Sequence, residues 1–174
     1  MNNFVIADPD KCIGCRTCEV ACVMAHGEHP LEQLTEENFL PRLRLVRTAK
    51  ISMPIQCRQC EDAPCAQSCP EQAILQNGHS VQVTAGKCIG CKSCLLACPY
   101  GAIDLVVRPS STGAKLNTVE ALKCDLCLER TGGPACIQVC PTKALYQVEG
   151  SQMAGRLQQK RRKAAMGAVK VSGN

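Results

Sequence analysis

The chain has 174 residues with 16 cysteines, no Trp, two Phe, two Tyr and a formal charge of +5. That length suits one or two compact domains, but so few large side chains exclude an ordinary aromatic-centred enzyme core. The basic surplus belongs to residues 151–174, where Arg156, Lys160, Arg161, Arg162, Lys163 and Lys170 stand without an acid, so residues 1–150 sum to −1 and give no argument for nucleic-acid binding.

In chain order, Phe4 to Ala7 reads as a strand, followed by the cysteine-rich run 12–22, whose fourth cysteine is expected on a short helix. An insert from Met24 to Met53 follows. Within it Leu31 to Phe39 is predicted as one short helix, and Arg42 to Arg47 alternates like a half-buried strand, suited either to a partner-facing lid or to a structural edge strand. Short strands are expected at Ala73-Ile74, Val81 to Thr84, Ala102-Ile103 and Ala144-Leu145, with a loop at Pro109 to Gly113 inside a second insert, Arg108 to Leu122. Met153, Leu157 and Met166 among Gln, Lys, Arg and Ala suggest a short amphipathic helix in the basic tail. No window approaches the roughly 20 apolar residues of a membrane span. The N-terminus lacks the pattern of a secretory signal, so a cytoplasmic protein is expected.

The cysteines form four groups: Cys12, Cys15, Cys18 and Cys22; Cys57, Cys60, Cys65 and Cys69; Cys88, Cys91, Cys94 and Cys98; Cys124, Cys127, Cys136 and Cys140. Groups one and three are C-x2-C-x2-C-x3-C, and the other two widen only the middle spacer. Lys11 to Val23 and Lys87 to Pro99 agree at eight of thirteen positions, the mark of a duplicated unit. Groups two, three and four continue as Pro-x-x-Ala-Ile/Leu through Pro70, Pro99 and Pro141. Three thiolates within so short a loop can wrap one cubane, with Gly14 or Gly90 permitting close backbone approach, and the fourth goes to the other cluster of a pair. Zinc has no use for the third closely spaced cysteine. Eight disulfides would need an oxidising compartment. Two runs then bind two clusters and four runs bind four, although spacing alone leaves open which runs exchange ligands.

The stretches Cys-Ile-Gly-Cys-Arg-Thr-Cys-Glu-Val-Ala-Cys at 12–22, Cys-Arg-Gln-Cys-Glu-Asp-Ala-Pro-Cys at 57–65 and Lys-Cys-Asp-Leu-Cys at 123–127 resemble the four-cluster polyferredoxin subunits of molybdenum and tungsten oxidoreductases. The likeness covers about residues 1–150 and is nearest to the formate dehydrogenase, formate hydrogenlyase and hydrogen-dependent carbon dioxide reductase type and to electron-transfer subunits of tungsten aldehyde oxidoreductases. It implies an α+β fold of two bacterial dicluster ferredoxin-like units, small strands and short helices wrapped around four 4Fe-4S cubanes. Residues 54–108 would form the inner unit, residues 1–53 with 109–150 the outer unit, and 151–174 a basic tail. The ligand sets implied are Cys12, Cys15, Cys18 with Cys140; Cys124, Cys127, Cys136 with Cys22; Cys57, Cys60, Cys65 with Cys98; and Cys88, Cys91, Cys94 with Cys69. All sixteen cysteines are present, unlike the branch with a three-iron cluster. Group one departs from the pattern by ending Cys22-Val23 without Pro, and the membrane-anchor tail of the respiratory relatives is missing.

No G-x-G-x-x-G, Walker loop, Ser-His-Asp set or H-E-x-x-H occurs. The expectation is a non-catalytic electron-transfer subunit between a molybdenum or tungsten pterin oxidoreductase and an NAD-linked flavoprotein or a hydrogenase, with self-association through the tail extending it into a filament. A redox sensor or maturation protein is the alternative. A radical enzyme is disfavoured because C-x3-C-x2-C is missing. Sixteen thiolates and four doubly charged cores would turn the formal +5 into −3. Lys11, Lys87 and Lys123, each just before a first cysteine, could oppose further negative charge or be merely solvated. His26, His29 and His79 are read as solvated surface.

Overall fold

Strand-forming runs of four or five residues, grouped in the stretches between cysteine loops, can make hairpins but not a broad sheet. A computed structural model describes residues 1–27, 29–108 and 118–167. Its strands are β1 (Phe4–Ala7), β2 (Leu43–Arg47), β3 (Ser52–Gln56), β4 (Ile74–Asn77), β5 (Ser80–Val83), β6 (Asp104–Arg108), β7 (Thr118–Leu122) and β8 (Leu145–Val148). They pair as four separate two-stranded antiparallel sheets: β1 with β8, β2 with β3, β4 with β5 and β6 with β7. The fold is therefore a mixture of small strands and short helices.

The β4–β5 hairpin pairs Asn77 with Ser80 across a two-residue loop, and Gly78 takes φ +61 there, as the tight turn demands. The β1–β8 pair instead joins opposite ends of the chain, with Phe4 facing Val148 and Ala7 facing Leu145. The three strands expected at Ala-Ile or Ala-Leu all begin later than predicted, and that at Ala144-Leu145 starts only at Leu145, the first residue of β8. Ala102-Ile103 precedes β6, and of Ala73-Ile74 only Ile74 is within β4. The helix expected over Leu31 to Phe39 is replaced by a 3-10 turn at Leu31–Gln33. Asn38 explains the difference. Its Oδ1 accepts from the Thr35 N–H at 2.7 Å and its Nδ2 donates to the Gln33 carbonyl at 2.9 Å, so its side chain takes the backbone groups a helix would use. The loop expected at Pro109 to Gly113 lies outside the described residues.

Helices α1 (Thr17–His26), α2 (Pro64–Gln67), α3 (Ser93–Ala97) and α4 (Ala135–Gln138) each follow a cysteine loop, and α5 (Met153–Ala165) forms in the basic tail. α1 packs on α4, and α2 packs on α3. Two cores result. One gathers Val5, Ala7, Cys18, Cys22, Leu43, Cys57, Cys124, Leu126, Cys136 and Leu145, the other Ala63, Cys65, Ile74, Val81, Cys94, Ile103 and Ala121. Buried polar side chains tie them: Asn2 Nδ2 donates to the carbonyls of Gln59 (2.9 Å) and Cys60 (3.2 Å), and its Oδ1 accepts from Gln76 Nε2 at 3.1 Å. Among the described residues no helix is long and apolar enough to cross a membrane.

Candidate iron-sulfur sites

In each cysteine loop the second residue of the first spacer adopts a left-handed backbone: Gly14 (φ +69), Gln59 (+52), Gly90 (+67) and Leu126 (+64). This reversal lets two cysteines three apart face one point. At Gly14 an added Cβ would meet Arg47 Nε at 2.8 Å, and at Gly90 it would meet Val119 Cβ at 2.8 Å, because β2 and β7 cover those loops. The equivalent positions Gln59 and Leu126 carry full side chains, both buried.

The Pro-x-x-Ala continuation has a second left-handed residue, at Gln72, Gly101 and Lys143. The turn brings the alanine amide back onto the sulfur of the fourth cysteine: Ala73 N–H to Cys69 at 3.3 Å, Ala102 to Cys98 at 3.4 Å and Ala144 to Cys140 at 3.2 Å. Group one lacks the proline, so α1 runs four residues beyond Cys22. There the Arg42 amide, from the insert, donates to Cys22 Sγ at 3.2 Å instead.

None of the sixteen cysteines is in a disulfide. Cys12, Cys15, Cys18 and Cys140 line one cavity together with Ile13, Leu45, Pro54 and Leu145. Cys69, Cys88, Cys91 and Cys94 line another with Ile74, Ile89, Leu105 and Ala121. Cys57 and Cys98 both act electrostatically on the thiols of Cys60 and Cys65, and Cys124, Cys22, Cys127 and Cys18 act on that of Cys136. Four thiols around a small apolar space, with amide donors on sulfur, are the donor set a 4Fe-4S cluster requires.

Burial drives the Cys18 thiol up to about 12, Cys65 up to about 11 and Cys124 up to about 12, and Cys136 is raised as well by the same cause. These groups hold protons in the metal-free chain and must release them to bind iron. Cys15 and Cys91 are exposed, and hydrogen bonding between their sulfurs and the side chains of Thr17 and Ser93 lowers their pKa values.

His26 is not the solvated residue expected. Its Nε2 lies 3.0 Å from Asp125 Oδ1 and its Nδ1 2.8 Å from the Cys22 carbonyl, with the side chain mostly buried. Burial opposes its charge, but the Asp125 contact prevails and pushes its pKa up to about 12. Arg42 Nη1 pairs with the other oxygen of Asp125, whose pKa falls well below the carboxylate range although burial works the other way. His26 also carries the Cys127 thiol below its ordinary value against the opposing effect of burial. Its isolation in sequence concealed this, since Asp125 lies 99 residues away. His29 and His79 are exposed, as expected. Of the three lysines, Lys11 and Lys87 are exposed while Lys123 is buried.

Residues 48–150 match the family described as "4Fe-4S dicluster domain". The chain is 51% identical over 173 residues to "Electron transport protein HydN" of Escherichia coli strain K12, covering 95% of this chain and 99% of that protein. It is 40% identical over 186 residues to "Formate hydrogenlyase subunit 2" of the same strain, covering 92% and 89% respectively. With the probable iron-sulfur subunit of the Frd operon of Proteus vulgaris the identity is 46% over 147 residues, covering 81% and 94%. Cysteine geometry and whole-length likeness thus agree: the chain belongs to the electron-transfer polyferredoxins built on the 4Fe-4S dicluster domain, and 4Fe-4S clusters are its cofactors.

Proposed function

We propose that the chain is a non-catalytic, cytoplasmic electron-transfer subunit that holds four 4Fe-4S clusters and relays electrons between a molybdenum or tungsten pterin oxidoreductase and a flavoprotein or hydrogenase. The observation that carries this reading is the pair of cavities lined by four cysteines each, in which three come from one loop and the fourth from a distant one. The ligand sets are then Cys12, Cys15, Cys18 and Cys140; Cys124, Cys127, Cys136 and Cys22; Cys57, Cys60, Cys65 and Cys98; and Cys88, Cys91, Cys94 and Cys69. The packing of α1 on α4 and α2 on α3 supports the same nesting, with 54–108 as the inner unit and 1–53 plus 109–150 as the outer.

A fully cysteine-ligated cluster supplies one-electron exchange and leaves no iron open to a substrate. The chain's own part is to fix the thiolates, to surround them with apolar side chains and to aim amides at sulfur. The likeness to a formate hydrogenlyase subunit favours formate or hydrogen chemistry in the partner.

Anaerobically purified protein is expected to contain about sixteen iron and sixteen labile sulfide per chain. Zinc in place of iron would overturn the reading. Cys140→Ser should perturb the cluster held by Cys12, Cys15 and Cys18. Damage confined to the set of Cys124, Cys127 and Cys136 would overturn the nesting.

A further inference from the structure

Lys11, Gln56, Lys87 and Lys123 occupy the same place in the duplicated architecture, immediately before the first cysteine of a group. Lys11 reaches out to Asp8 at 3.3 Å, and Lys87 is exposed. Gln56 and Lys123 are buried, with relative exposures of 1% and 3%. Each reaches the carbonyl of a fully buried valine that precedes a different cysteine group. Gln56 Nε2 donates to Val5 O at 2.8 Å, and Lys123 Nζ donates to Val81 O. Val5 and Val81 are themselves equivalent, each seven residues before the first cysteine of its own group. One architectural position thus carries a neutral amide on one side and a cation on the other.

The second acceptor of Lys123 is the Cys124 carbonyl at 2.9 Å, which also accepts from Gln59 Nε2 at 2.9 Å. Gln59 Oε1 in turn accepts from the Val81 N–H at 2.7 Å. The ammonium is therefore locked at the junction of the two cores. A fold that needed only the hydrogen bond to Val81 could have used glutamine, as the mirrored position does. A buried charge is costly to retain unless negative charge stands near it. Lys123 Nζ touches the carbonyl of Cys124 directly, and Gln59, which shares that carbonyl, lies in the chain between Cys57 and Cys60, so the ammonium stands beside both cysteine groups.

We propose that Lys123 is an electrostatic tuning residue whose fixed buried charge raises the reduction potentials of the two clusters facing the junction, those of Cys57, Cys60, Cys65, Cys98 and of Cys124, Cys127, Cys136, Cys22, and not of the other two. Adding an electron makes a cluster more negative, so a nearby cation in a low-dielectric interior favours the reduced state. This rests on the four-cluster reading above.

The test is a potentiometric titration of the holoprotein followed by electron paramagnetic resonance, comparing native protein with Lys123→Gln, which keeps a donor for Val81 as Gln56 does for Val5. Two clusters should become harder to reduce by at least tenfold in the one-electron equilibrium, about 59 mV, and two should be unmoved. Unchanged potentials, or an equal shift in all four, at full iron content would overturn the inference while leaving the four-cluster reading intact. Native protein lacking four clusters would instead overturn that reading. Should Lys123→Gln fail to fold, Gln56→Lys places a second cation at the mirrored position and should raise the junction potentials; no rise at full iron content overturns the inference.

Discussion

At the residue scale, one left-handed position solves the same problem four times with different side chains. Gly14 and Gly90 are legible in the sequence as points of close approach, because Cys-Ile-Gly-Cys repeats. Gln59 and Leu126 are not, since their value depends on what lies across the molecule. Gly90→Ala combines an unfavourable φ with a Cβ at 2.8 Å from Val119 Cβ and should destabilise the protein by roughly 2 kcal/mol, read as a lowered unfolding midpoint. The His26–Asp125 pair was equally invisible and gives a pH signature. The pKa of His26 rises from 6.5 to about 12 on folding, so its stabilisation is complete below pH 6.5 and is lost as pH climbs towards 12. Asp125, depressed from 3.8, loses its share in acid. His26→Leu should therefore cost about 2 kcal/mol near pH 6, and its gap from native protein in denaturant midpoint should narrow by pH 9. A gap independent of pH would show that the ring is uncharged in the fold.

At the scale of elements, the departure in group one becomes intelligible. The missing proline lets α1 continue to His26, whose ring reaches Asp125 only because the helix extends that far. The insert then supplies what the missing turn would have supplied, an amide for Cys22 from Arg42, while Glu19, 1% exposed, holds the same hairpin through the Leu45 N–H at 2.8 Å. Of the expected strand Arg42 to Arg47, Leu43–Arg47 forms β2. Val23→Pro, which would make group one look like the other three, should instead break α1 and destabilise by about 3 kcal/mol, with iron released at a lower temperature than in native protein. An unaltered melting profile would contradict this account. β1, β5 and β8 were legible from apolar runs. β3 was not, because Pro54 argues against a strand except in a sheet with free edges, as a two-stranded sheet has. β7 was hidden inside an apparent loop, and its role appears only where Val119 covers Gly90.

At the scale of the whole molecule, the basic tail stands apart. Every side chain of α5 except Met153 is exposed, and Arg156, Lys160, Arg161, Arg162 and Lys163 lie on it without an acid. Its helical character was legible from composition; its partner was not, since an exposed helix carries no record of what it touches. Removing residues 152–174 spares Gly150, whose N–H donates to Asn3 Oδ1 at 2.9 Å, and all sixteen cysteines. Iron content should be unchanged and assembly mass in light scattering reduced, most clearly at low salt, where the tail's charges are least screened. Mass unaffected by truncation would assign the tail no part in association. The pairing of β1 with β8 bears on how the protein is made. Translation delivers Cys12, Cys15 and Cys18 well over a hundred residues before Leu145–Val148, the strand their enclosure waits for. The β4–β5 hairpin and its flanking cysteines can close long before that. Until β8 arrives Cys12, Cys15 and Cys18 remain bare thiols open to oxidation, and the length of that exposure is set by how far along the chain their covering strand is encoded.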